Sequence, residues 1–303
     1  MVKRTDFEFA TEPVREPGAG EVLVKTQYLS LDPAMRGWMN DVRSYVPPVG
    51  LGDVMRAGGI GQVIASNDPS LAVGDTVNGG TGIQEYAVMN AKWLTKVDPT
   101  FAPLPRYLGA LGMPGLTAYF GLLSVCEPKE GETVVVSGAA GAVGIAGGQD
   151  KCKYLIDELG YDAAIDYKAD DVRKALRAAC PDGVDVYFDN VGGDILDLVL
   201  TQLARNARIS ICGAISQYNN TEPTQGPANY LSLLVFHARM EGFVVSDYAA
   251  QFPEARKELA VWIGEGQLKA REHIVDGIET FPETFQMLFN GQNFGKLVLK
   301  VAE

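Results

Sequence analysis

The residues best suited to chemistry follow an apolar run. Thr133, Val134, Val135, Val136 and Ser137 lead into Gly138, and Gly141 and Gly144 come three and six positions later. Glycines at that spacing let a backbone come close to a diphosphate. A helix starting there would turn free N–H groups toward the anion. An ordinary strand-to-helix turn carries the same pattern, so the position of the motif, after a strand in an alternating region, is what gives it weight. Two more strand-like runs end on polar or glycine-rich groups. One is Tyr187 to Gly193 (YFDNVGG); the other ends in Cys212 to Ser216, with Tyr218 close behind. At the carboxyl ends of parallel strands such residues line the ligand crevice of a doubly wound sheet. Asn190 and Tyr218 would equally serve plain strand-ending turns. Lys151 reads either as a phosphate partner or as a solvated lysine at a helix start. An ammonium pairs with a 2′-phosphate, whereas an acid at that place selects a free ribose hydroxyl. Asp150 beside it works against the phosphate reading.

The elements that must position these residues differ along the chain. Residues 1–111 are rich in short strands and turns: a turn over Pro17 to Gly20, then a strand with Val22 and Val24 on one face, then GGIGQVIAS, GDTVNGG and GIQEYAVM. That portion reads as a small β-rich, barrel-like domain. The stretch from Tyr107 to Val125 is helical in two pieces broken near Pro114. Beyond it, ETVVVSG, DAAIDY, VDVYFDNVG, RISICGAIS and EGFVVSDY alternate with helical or loop stretches, which implies a parallel sheet. PEARKELAVWIGEGQL and FPETFQMLFNGQ are amphipathic helices, and GKLVLKV is a closing strand. The loop from Tyr218 to Gly226 resembles a site loop more than a linker.

Composition limits the function classes. With 303 residues, 47% of them hydrophobic, the chain can fill two structural units. A net charge of −12 argues against nucleic acid and anionic membranes as partners. No apolar run is long enough to span a bilayer, and the N-terminus lacks a signal-peptide core. Cys126, Cys152, Cys180 and Cys212 form no CxxC pair. They suggest neither a disulfide framework nor a metal cluster, and fit a reducing, cytoplasmic compartment.

Taken together, YLSLDPAMRGWM (Tyr28 to Met39), SYVPPV (Ser44 to Val49), GMPGLTAYFGL (Gly112 to Leu122), SGAAGAVG, YFDNVGG, CGAISQYN (Cys212 to Asn219) and NFGKLVLK (Asn293 to Lys300) are far more specific than the glycines alone. In these segments the chain resembles the prostaglandin reductase, alkenal reductase and curcumin reductase branch of the zinc-independent medium-chain dehydrogenases, over nearly its whole length. The resemblance implies an α/β fold: a GroES-like β-rich catalytic domain (1–111, completed by 266–303) and a Rossmann doubly wound parallel sheet (112–265). It implies NADPH as cofactor and a homodimer. Gly141, Ala142, Val143 and Gly144 would contact the pyrophosphate, Lys151 the adenosine 2′-phosphate, and Tyr167 the adenosine side. Asn190, Cys212, Gly213, Ala214, Ile215, Ser216, Tyr218, Phe243, Val244, Val245 and Asn293 would hold the nicotinamide half.

A catalytic zinc needs three ligands, usually His, Cys or Glu. The first hundred residues contain neither Cys nor His, and the only histidines, His237 and His273, read as structural or surface residues. The implied reaction is hydride transfer to the β-carbon of an enal or enone, with no metal. The enolate oxygen then needs a hydrogen-bond donor, for which Tyr218 is the candidate. Tyr45 is a pocket wall or second donor, or a packing tyrosine beside two prolines. Arg36 and Trp38 read as fold residues. An NADPH quinone reductase and a catalytically silent relative are the alternatives.

Two departures from the family stand out. The chain begins about one strand late, before DFEFATEPVREPG. More seriously, SGAAGAVG runs directly into IAGGQDKC, where the family has a helix and most of a strand. Val136 and Ile145 are too close for a crossover helix with its turns, so IAGG is not expected as the neighbouring parallel strand. Three readings follow. Residues of the natural chain are missing from this sequence, which we prefer. Or the chain re-registers, with Gly144 to Gly160 as the first helix and Ala163 to Tyr167 as the next strand. Or the variant is inactive.

Overall fold

Val22 and Val24 alternate with half-exposed neighbours and are fully buried, so the first strand is amphipathic with period two, as its sequence requires. The computed structural model describes residues 1–138 and 143–301. They form two compact units, Met1–Gly115 with Arg256–Glu303, and Leu116–Ala255.

The first unit holds one largely antiparallel sheet. Its strands are β1 (Glu21–Ser30), β2 (Gly59–Ser66), β3 (Thr76–Gly79), β4 (Tyr86–Asn90) and β5 (Thr95–Lys96), and two later strands join them. β1 pairs with β2 and β4 and, at its far end, with the last strand of the chain. This one strand serves three partners because β4 takes Glu21–Lys25 and the last strand takes Tyr28–Ser30, while β2 runs along both stretches with register shifts at Leu23/Val24 and Thr26/Tyr28. The closing helix Phe281–Asn290 lays Phe281 and Phe285 onto Leu29, Leu31, Leu297 and Leu299. Each of these fully buried side chains contributes about 1.5–3 kcal/mol.

The second unit is a parallel sheet of β6 (Val134–Ser137), β7 (Val143–Ala146), β8 (Ala163–Asp166), β9 (Val184–Asp189), β10 (Leu203–Ile211) and β11 (Arg239–Gly242). In space the order is β11-β10-β9-β6-β7-β8, and every pairing is parallel. The helix Gln149–Asp157 connects β7 to β8, and Gly193–Leu200 connects β9 to β10. Val135, Val143, Ile145, Ile165, Tyr187, Val199 and Ile209 form the core. The last two strands, β12 (Glu272–Asp276) and β13 (Lys296–Lys300), return to the first unit and pair in parallel there.

Most sequence-read elements stand near their expected places, with three corrections. The strand read in EGFVVSDY starts earlier and is shorter: β11 spans Arg239–Gly242, and the Phe243 ring turns toward Phe188. The helical region around Pro114 consists of a 3-10 segment (Leu104–Leu108), an α-helix (Met113–Tyr119) and a π-helical stretch (Phe120–Cys126).

The third correction concerns the glycine motif. Gly144 starts no helix. Val143–Ala146 is itself the parallel neighbour of β6, with Val135 opposite Val143 and Ser137 opposite Ile145. This is the arrangement that the spacing argument ruled out; of the re-registered alternative the helix start at Gly144 fails, while the helix Gln149–Asp157 and the strand Ala163–Asp166 are present. The apolar Val-Gly-Ile-Ala run, buried throughout, gains more inside the sheet than as a glycine-interrupted helix.

Candidate dinucleotide site

Two groups of side chains gather at the carboxyl ends of the parallel strands. The first lies over β6, β9 and β10. Asp189 is fully buried, and its Oδ1 accepts from the Ser137 hydroxyl, the Tyr187 phenol and the Val191 and Gly192 N–H groups, each at 2.9 Å. Asn190 follows. Its N–H donates to Ser137 Oγ at 3.0 Å and its amide to the Ser137 carbonyl at 2.7 Å. Ser137 thus ties the end of β6 to the end of β9. Burial, and then the Asp189 charge, holds the Tyr187 phenol well above its ordinary pKa, so it stays a neutral donor.

The turn after β10 is laced onto the same web. The Cys212 and Gly213 N–H groups donate to the Asp189 carbonyl, Ile215 N–H to the Asn190 carbonyl, and Ser216 N–H and Oγ to the Val191 carbonyl. Gly192 and Gly193 have φ of 66° and 55°. A Cβ on Gly193 would come within 2.9 Å of Ser216 Oγ, so the close approach of the two turns requires glycine there. Tyr218 folds back over this turn, its phenolic oxygen accepting the Ala214 N–H at 3.2 Å. Cys212 is no nucleophile: burial, and then Asp189, pushes its thiol up to about 12. Phe243 packs its ring near Phe188 at 6.4 Å and against Gly121.

The second group lies over β7 and β8. Asp166 Oδ1 accepts the Gly148 and Lys168 N–H groups at 2.8 and 3.0 Å, which fixes the turn ahead of the helix Gln149–Asp157. Lys151 sits in the first turn of that helix. Its pKa is lowered by burial and then by the charge of Lys168, so the two ammonium groups share one neighbourhood. The Tyr167 ring lies against Gly147, where a Cβ would meet it at 2.8–2.9 Å, and Lys168 Nζ stands 6.0 Å from the same ring. Gly147 and Gly148, at the end of β7, carry no carboxylate.

Of the residues expected from sequence, Asn190, Cys212, Gly213, Ala214, Ile215, Ser216 and Tyr218 come together in the first group, and Lys151 and Tyr167 in the second. Val143 and Gly144 lie inside β7, with β6 on one side and β8 on the other, so neither stands at a turn facing a helix. Gly141 and Ala142 lie outside the described residues. Val244 and Val245 follow Phe243 as half-buried residues. Tyr45, 60% exposed, and Asn293, whose amide donates to the Gly295 carbonyl at 2.9 Å, belong to the other unit. His237 is exposed, and His273 Nδ1 accepts the Phe294 N–H. Among the described residues no three His, Cys, Asp or Glu side chains gather as a metal site. Sequence reading passed over Ser137 and Asp189, which lie within quoted motifs, and Lys168, which directly follows one.

Family models match in two places: an N-terminal domain of oxidoreductase over residues 1–97 and a zinc-binding dehydrogenase over residues 132–261. The second description names zinc, yet its matched segment has one histidine and three scattered cysteines. The NADPH-dependent curcumin reductase of Escherichia coli is 42% identical, covering 98% of this chain and 92% of its own. The chain belongs to the zinc-independent medium-chain dehydrogenases/reductases. Another relative, the NADP(+)-dependent 2-alkenal reductase of Nicotiana tabacum, is 39% identical over 99% of this family member and 94% of its own length. The crystal structure of CurA from Vibrio vulnificus in complex with NADPH superposes with a TM-score of 0.93 at 39% identity, covering 99% of this chain and 96% of that one.

Proposed function

We propose that the chain serves NADPH-dependent reduction of the carbon–carbon double bond of α,β-unsaturated aldehydes and ketones. The observation that carries this reading is the end-to-end likeness to a curcumin reductase and a 2-alkenal reductase. When bound, NADPH supplies the hydride.

The chain's own residues fit the two ends of that cofactor. Lys151 and Lys168 offer ammonium groups for a 2′-phosphate, although Asp166 at the Gly148 N–H and Asp150 in the same helix turn stand close by. The Tyr167 ring offers a face to the adenosine. Asn190 and the turn from Cys212 to Ser216 form a rigid wall for the nicotinamide half. Tyr218 is the hydrogen-bond donor to the oxygen on which enolate charge develops, and a proton delivered at the α-carbon completes the saturated product. Phe243 to Val245, in the same unit, complete the nicotinamide surroundings. Among the described residues the diphosphate between the two ends has no such fit. Its expected contacts at Val143 and Gly144 are inside a strand, and no step is assigned to that part of the site.

A substrate panel tests the reading: NADPH consumption with enals, enones, curcumin and quinones. Turnover of enals and enones supports it, and turnover of quinones alone replaces it with a quinone reductase. The short connection between β6 and β7 favours a second reading, a catalytically silent relative. Absence of any NADPH binding in isothermal titration would favour that one.

The protein works as a cytoplasmic homodimer in this proposal. Four free cysteines suit a reducing compartment, and no helix among the described residues is long and apolar enough to cross a membrane. The edge strand β11 pairs with β10 on one side only, and Tyr230, Leu231, Leu234 and Val235 are exposed just before it. An open edge beside an apolar patch suits a second copy. Light scattering at twice 32.6 kDa would support the dimer, and a monomer mass at micromolar concentration would remove it.

A further inference from the structure

Resting on that cofactor reading, we infer that this chain holds a pyridine nucleotide by its two ends only and has lost the helix that grips the diphosphate. Three observations carry the inference. The first is the register. β6 and β7 are parallel neighbours, and parallel neighbours need a crossover of a dozen or more residues. Only the five residues from Gly138 to Ala142 separate Ser137 from Val143.

The second is that neither end can lend residues to a longer connection. The Gly138 N–H is bonded to the Ile145 carbonyl at 3.0 Å, and Ser137 Oγ to the buried Asp189. On the other side Val143 and Ile145 are almost fully buried, and β7 is laddered to both β6 and β8. A helix with a usable N-terminus takes two turns or more at about 3.6 residues each. The four residues between the pinned ends cannot supply one.

The third is the relatives. The alignment with the curcumin reductase runs over 318 positions and that with the 2-alkenal reductase over 322, against 303 residues here. Those proteins therefore carry at least 15 and 19 residues, respectively, with no counterpart in this chain, enough for one crossover helix with its turns.

The consequence is selective. Groups that read the adenosine 2′-phosphate remain, while a helix end that would meet the diphosphate has no room between Gly138 and Val143. Each charge-assisted hydrogen bond to a phosphate is worth roughly 10- to 100-fold in affinity. Losing two or more predicts NADPH binding at least about 100-fold weaker than with the helix in place.

The test compares this chain, verified at 32.6 kDa by intact mass, with a variant in which residues 138–142 are replaced by the strand–helix connection of the E. coli curcumin reductase. A third chain carries a glycine–serine segment of the same length. NADPH and adenosine 2′-monophosphate, which has no diphosphate, are titrated into each. The inference expects the helix graft to tighten NADPH at least about 100-fold and adenosine 2′-monophosphate by less than about tenfold, with no gain from the glycine–serine segment. Equal NADPH affinity in the unaltered and grafted chains would overturn it. If the graft does not fold, the unaltered chain is compared with the curcumin reductase itself. A similar NADPH preference over adenosine 2′-monophosphate in both would likewise overturn the inference. Enal turnover by the grafted chain at saturating NADPH tests the reductase reading separately from the binding ratio.

Discussion

Asp189→Ala removes the acceptor on which the first group of site residues converges. The carboxylate is fully buried, with four donors on Oδ1, and Oδ2 has no partner among the described residues. In the alanine variant the Ser137 and Tyr187 hydroxyls can rotate to other acceptors, but the Val191 and Gly192 N–H groups are fixed by the backbone. Each orphaned buried donor costs about 1–3 kcal/mol, so the pair costs about 2–6 kcal/mol. For a unit of this size each kcal/mol lowers the melting temperature by about 2–4 °C. The expected drop is about 5–20 °C by near-UV circular dichroism. Asp189→Asn keeps an acceptor in the Oδ1 position and should lose less than about half as much. A melting temperature within about 2 °C of the parent for Asp189→Ala would refute the idea that this carboxylate organises the ends of β6, β9 and β10.

Tyr218→Phe keeps the ring and removes the phenolic hydroxyl. It should lower turnover on a good enone by about 10²-fold or more while changing NADPH affinity little, and unchanged turnover would dismiss Tyr218 as the donor. Lys151→Ala should weaken adenosine 2′-monophosphate by about 10- to 100-fold and leave adenosine binding nearly unchanged; equal losses for both would show a structural lysine instead. The wild-type preference for the phosphorylated ligand should also fade as pH rises through the lowered Lys151 pKa, because the ammonium discharges. Burial raises the Cys126 and Cys180 thiols to about 11 and Cys212 to about 12. At pH 8 their thiolate fractions are about 10⁻³ or lower, so a thiol reagent should label at most Cys152 quickly in the native protein. Rapid labelling of two or more thiols would contradict this.

Patterns that depend on one element at a time were legible in the sequence. Alternation around Val22 and Val24 marked β1, and the Val-rich runs marked β6 and β9. The strand-end turns at Asn190 and Cys212 were found because their residue types are unusual after apolar runs. Asp189 escaped because a buried acceptor is recognised only by what converges on it, and its donors come from β6 and from its own strand end. Lys168 escaped because its relation to Lys151 joins the ends of β7 and β8. The placing of β7 failed for a different reason. Spacing rules assume that two parallel neighbours keep their crossover, whereas here buried apolar residues and a full ladder on both sides hold Val143 to Ala146 beside β6 without one.

The most direct test of the central claim is the initial rate of NADPH oxidation with a 2-alkenal as the cofactor is raised past about 1 mM, the upper end of ordinary KM values. The account predicts a rate that depends on the alkenal, keeps climbing through that range, and yields the saturated aldehyde. The absence of alkenal-dependent oxidation at every NADPH concentration, in this chain and in the chain with a restored crossover helix, would contradict it.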